Sequence, residues 1–136
     1  MKIIKTGATR YVLIIGNLAF KFPSWFSWSH FLQGMVANMA EYQFSRVDIY
    51  QGKVCPILFR IPGGFLNVMP RCRIMTDEEF DMKAMVEFCR CSDDFYLPTE
   101  YKSDSYGWTK DGNLVAVDYA GVVRFPGDNI SVLNHG

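Results

Sequence analysis

Among the residues of this chain whose types and spacing could do chemistry, the first is a lysine in an apolar strand. Leu18-Ala19-Phe20-Lys21-Phe22-Pro23 reads as a strand, whose side chains alternate between faces. Leu18, Phe20 and Phe22 then share one side, and Ala19 and Lys21 the other. Lys21 has a small neighbour and room beside it for something flat. An edge-strand lysine facing water is one reading. The next segment offers another, because Gly34, Ala37 or Asn38, Glu41 and Ser45 recur at helical spacing as a strip of small residues carrying one carboxylate. Small side chains let a helix approach a strand closely, which would bring Glu41 to Lys21 as an ion pair. The thiols are the other reactive set. Cys55, Cys72, Cys89 and Cys91 are irregularly spaced, and Cys89-Arg90-Cys91 falls short of the four ligands of a zinc site, with His30 and His135 the only histidines. Free thiols in the core or at a helix end, in a reducing compartment, are expected.

The elements that must position these residues follow from pattern and punctuation. A 136-residue chain that is 49% hydrophobic and 15% aromatic can bury the core of one domain. Fourteen basic and fourteen acidic residues cancel, so no global field draws the chain to nucleic acid or to an anionic membrane. No apolar run approaches the roughly 20 residues of a membrane span, and no signal-peptide core opens the sequence, so a soluble cytoplasmic protein is expected and Asn129-Ile130-Ser131 is a glycosylation sequon by coincidence. Lys2–Lys5, Arg10–Ile15 and Leu18–Phe22 read as strands, the last two joined by a Gly16-Asn17 turn. The spacing of Leu32, Met35, Val36, Met39 and Gln43 predicts a helix with Ser27 or Ser29 as N-cap. Strands Ile57–Ile61 and Phe65–Met69 flank Pro62-Gly63-Gly64, and Thr76 with Glu79 forms a capping box that predicts a helix running to about Cys89. A tyrosine-rich loop, an Asp111-Gly112 turn and a short buried strand in Asn113–Gly121 follow. The expected class is α+β with a mostly antiparallel sheet.

In this order the residues resemble the protein kinase-like superfamily. Ala19-Phe20-Lys21 is similar to its "VAIK" strand, Glu41 lies twenty positions downstream as the helix glutamate would, and Leu114–Gly121, "LVAVDYAG", is similar to its metal-binding "DFG" strand. The resemblance implies a single minimal domain over 1–136: a sheet and helix in 1–70, a hinge near Met69-Pro70-Arg71 with helix, catalytic-loop-like and metal-strand-like segments in 71–121, and a loose tail in 122–136. It implies that Ala19, Lys21, Glu41 and Met69 would hold a nucleotide, and that Asp118, with Asp104, would hold magnesium. Glu100 and Lys102 would stand where the family's catalytic loop carries Asp-x-Lys-x-x-Asn, with Glu100 as the base and Ser105 in place of the asparagine.

The pattern also departs from the family. Thr6-Gly7-Ala8-Thr9 has one glycine where three bring backbone N–H groups to the phosphates, Ala120 stands where the family has glycine, with Gly121 one position late, and only residues 119–136 follow Asp118. The resemblance therefore implies a degenerate site and a non-catalytic protein that binds a protein partner. Compact chains of this kind resemble proteins carried by phages and prophages, which makes a host protein or complex, blocked or modulated, the implied partner, with no cofactor. Trp25, Trp28, Tyr106 and Trp108 are the aromatic anchors expected at such an interface. A working Mg-ATP phosphotransferase is the alternative, and a nucleic-acid binder using Arg60, Arg71, Arg73, Lys102 and Lys110 is a weaker one against the neutral charge.

Overall fold

The computed structural model describes residues 2–6, 9–25 and 27–120. Its fold is α+β, with two helices and two antiparallel sheets. Strands β1 (Lys2–Thr6), β2 (Arg10–Ile15) and β3 (Leu18–Pro23) form a meander, helix α1 (Trp28–Ser45) follows, and β4 (Phe59–Ile61) and β5 (Leu66–Pro70) complete a five-stranded sheet in the order β1-β2-β3-β5-β4. A second sheet is built from β6 (Arg73–Ile74), β7 (Tyr106–Trp108) and β8 (Leu114–Ala116), with helix α2 (Met82–Cys89) between β6 and β7 in sequence. None of the described helices is long and apolar enough to cross a membrane.

Local chemistry explains most boundaries. In the β2–β3 turn Gly16 alone takes positive φ, +58°, as a two-residue hairpin turn with glycine first requires. Ser27 caps α1, its hydroxyl accepting from the His30 N–H at 3.1 Å. The helix then approaches the sheet through its smallest residues. A Cβ on Gly34 would lie 2.3 Å from the Thr9 carbonyl oxygen, and one on Gly64, at the β4–β5 turn, 2.0 Å from that of Met35. The buried face of α1 is accordingly Gly34, Ala37, Asn38 and Glu41, while Met39 of the apolar stripe is exposed.

Two expected elements differ. Thr76 and Glu79 make both reciprocal bonds of a capping box, Thr76 N–H to Glu79 Oε1 at 3.0 Å and Glu79 N–H to Thr76 Oγ1 at 3.3 Å, yet they close only a turn. The Arg73 guanidinium takes both Glu79 oxygens at 3.1 Å and, with the Thr76 N–H, holds that carboxyl down at about 2. The helix starts afresh at Met82, where the Asp81 side chain accepts from the Ala84 N–H. The tyrosine-rich stretch expected as a loop ends in β7, because its backbone pairs with both β6 and β8.

The five-stranded sheet departs from the usual half-buried antiparallel sheet, which is apolar inward and polar outward, because its inward face carries charges among Val12, Ile14, Ala19 and Met69. Register puts Arg10, Lys21 and Asn67 on the side facing α1. The opposite side, across β2 to β5, carries Tyr11, Leu13, Ile15, Leu18, Phe20, Phe22, Phe59, Ile61, Leu66 and Val68 and no charged residue. Ile15, Phe59 and Ile61 are exposed there, and Trp25 stacks on Tyr11 and Phe22 with ring centroids 4.7 and 5.7 Å away. The main core lies elsewhere, around Cys55, Met69, Met75, Met85, Cys89, Tyr106 and Tyr119.

Candidate functional site

The side of the sheet that faces α1 positions a cluster of charges. Arg10 opens β2 and Lys21 lies near the end of β3. They share a face because Arg10 pairs with Pro23 and Val12 with Lys21, two residues further along. Glu41 reaches them from the buried face of α1 and is 0% exposed. It accepts from Lys21 Nζ at 3.0 and 3.2 Å, from Arg10 at 3.1 and 3.4 Å, and from the Tyr119 N–H at 3.0 Å. Arg10 also donates to Asp118 Oδ1 at 2.6 Å and to Asn38 Oδ1 at 3.1 Å. Lys21 Nζ further donates to the Val117 carbonyl. Asn38 returns the links by donating to the carbonyls of Lys21 and Gly64, each at 3.1 Å, and Asn67 donates to the Asn38 carbonyl at 2.9 Å.

Two cations thus face two carboxylates; Arg10, Lys21 and Glu41 each have more than one partner, and Asp118 has Arg10. Isolated buried charges are strongly disfavoured; a balanced, paired set offsets much of that desolvation. Burial by itself would depress the Arg10 pKa, but the charges of Glu41 and Asp118 outweigh it and raise it above its ordinary value. For Asp118 burial opposes ionisation, and Arg10, Lys21 and Lys102 outweigh it, so the carboxyl lies below the usual carboxylate range.

The sequence pointed to Lys21, Glu41 and Asp118 but passed over Arg10, Asn38 and Asn67 as site residues. Arg10 was findable: with a two-residue turn at Gly16-Asn17, alternation sets it on the same face as Lys21. The other two residues expected to hold a nucleotide are Ala19 and Met69. Ala19 pairs with Met69 in register, but Met69 is 2% exposed and packed into the core. At the expected hinge the Arg71 N–H donates to the Asn17 carbonyl at 2.8 Å, and the Pro70 carbonyl faces the thiols of Cys55 and Cys72. The Asp118 carboxylate, to which the resemblance assigned magnesium, is bonded to the Arg10 guanidinium. Among the described residues no group of three or more His, Cys, Asp or Glu could hold a metal ion.

The remaining sequence candidates scatter. Lys102 lies 3.5 Å from Glu100 and 3.8 Å from Asp104, and both carboxylates are well exposed, so the three make a surface charge cluster. Tyr106, expected at an interface, is instead a core residue at 0% exposure, its hydroxyl 2.8 Å from Thr99 Oγ1. Trp108 is half-buried under the Arg73 guanidinium, 4.2 Å from its ring. Trp25 and Trp28 are 64% and 72% exposed and, with Ser27 and Phe31, line a cleft of about 380 Å³. Gly7, Ala8, Gly121 and the 122–136 tail lie outside the described residues. No protein-family model, curated protein or solved structure matches this chain.

Proposed function

We propose that the chain is a kinase-like protein that transfers no phosphate and acts by binding a protein partner. The observation that carries the reading is the 2.6 Å pair between Arg10 and Asp118, which spends the would-be metal ligand on an internal cation. A strand lysine, a helix glutamate and an aspartate beyond the last strand support kinase-like ancestry, and Arg10 supports loss of the nucleotide site. The partner surface is the apolar face of β2 to β5 with Trp25, continued by Trp28. Large aromatic side chains so exposed are costly in water and serve well as anchors. The phage-borne resemblance makes a host protein complex the class of partner.

Two measurements test this. Millimolar Mg-ATP leaves the melting temperature unchanged; a rise that is abolished in Lys21→Ala would favour the phosphotransferase instead. Affinity capture on host lysate retains a stoichiometric protein that Trp25→Ala loses, and equal capture by the variant would remove the sheet face from the reading.

A further inference from the structure

We propose that Cys55 and Cys72 form a dithiol modification site, oxidised to an intramolecular disulfide by a low-molecular-weight disulfide. The inference is independent of the proposed function.

The two Sγ atoms lie 3.5 Å apart, and both point at the Pro70 carbonyl, at 3.7 Å from Cys55 and 3.8 Å from Cys72. A covalent bond needs them to close to about 2.05 Å, a displacement on the scale of a side-chain torsion. Their surroundings divide the labour. Cys72 is half-buried and reachable, whereas Cys55 is 1% exposed. The hydrogen bond with Cys55 and the charge of Lys21 lower the Cys72 pKa, against its partial burial, whereas its bond to Cys72, and then burial, raise that of Cys55. Cys72 is thus the attacking thiolate and Cys55 the resolving thiol. Cys89 and Cys91 lack this arrangement: Cys89 Sγ faces the hydroxyls of Thr99 and Tyr106, and Cys91 Sγ the Cys89 carbonyl.

The chemistry balances. The Cys72 thiolate attacks one sulfur of the small disulfide RS–SR, forming Cys72–S–SR and expelling one RS⁻. Cys55 then gives up its proton to solvent and attacks the Cys72 sulfur, forming the Cys55–Cys72 bond and expelling the second RS⁻. Two protein thiols lose two electrons and two protons overall, and the small disulfide gains them as two thiols.

The position gives the bond a mechanical consequence. The chain passes between the two sheets at these points: Cys55 donates its N–H to Ala116 of the second sheet on the way to β4, and Cys72 lies between β5 and β6. The same seam carries the Arg10–Asp118 pair, since β2 belongs to the first sheet and Asp118 follows β8. A disulfide there staples the sheets together.

The test treats the 136-residue chain with oxidised glutathione, then alkylates it in denaturant and measures the intact mass. Two of the four thiols become inaccessible to alkylation, no glutathione is retained, and a non-reducing peptide map joins Cys55 to Cys72. The oxidised form melts higher than the reduced form, and dithiothreitol reverses the gain. Cys55→Ala stops at one glutathione on Cys72, and Cys72→Ser keeps all three remaining thiols. Should Cys55→Ala fail to fold, the wild-type peptide map decides alone. Four alkylatable thiols after treatment, glutathione left on wild-type Cys72, or a bond joining Cys89 to Cys91 would each overturn the proposal.

Discussion

Two charge clusters in this molecule are built from the same residue types and behave differently. Arg10, Lys21, Glu41 and Asp118 are held between helix and sheets at 2.6 to 3.1 Å, while Lys102 bridges Glu100 and Asp104 on the surface at 3.5 and 3.8 Å. In sequence both clusters fall at positions that resemble a kinase-like site, the second where its catalytic loop would lie. The difference is solvent. A buried charge must find protein partners, so Arg10, Lys21 and Glu41 are each fixed by several bonds and Asp118 by its pair with Arg10. An exposed charge has water as an equal alternative, and its salt bridges add little.

The largest effect expected from breaking this contrast is at Glu41. Glu41→Ala leaves Arg10 and Lys21 sharing the single carboxylate of Asp118 and strands the Tyr119 N–H, and should cost about 3–5 kcal/mol in chemical denaturation. A loss below about 1 kcal/mol, the range of exposed pairs, would mean that water already reaches the cluster. At the other extreme, Lys102→Met should change stability by less than about 1 kcal/mol, and added salt should erase most of that. A salt-resistant loss comparable to that of Glu41→Ala would place Lys102 in the buried set and dissolve the distinction.

The cluster was partly legible because two periodicities carry it. Strand alternation gave Lys21 a face, helical spacing gave Glu41 a strip of small neighbours, and Gly34 confirms the reason, leaving no room for a Cβ at the helix–sheet contact. The Arg10–Asp118 contact was not legible, since it spans 108 positions and depends on how the second sheet docks on the first. The Thr76 capping box was a sound local signal that closes one turn, and the helix begins instead at the Asp81 cap. Strands β6 and β7, of two and three residues, are too short for any alternation to show. Tyr106 shows the limit for aromatics: sequence gives the ring but not the side of the core on which it falls.

The central claim, that Arg10 and Asp118 satisfy one another inside the fold, is tested most directly by a double-mutant cycle. Arg10→Met, Asp118→Asn and the double variant, unfolded in denaturant at neutral pH, should give a coupling energy of about 1–3 kcal/mol. Because the folded-state pKa of Asp118 is depressed, the pair's contribution is fully present above the unfolded carboxylate range near about 4 and is lost as pH falls through the lower folded value. The coupling should therefore vanish in acid. A coupling indistinguishable from zero at neutral pH, or one that persists unchanged into acid, would contradict the account.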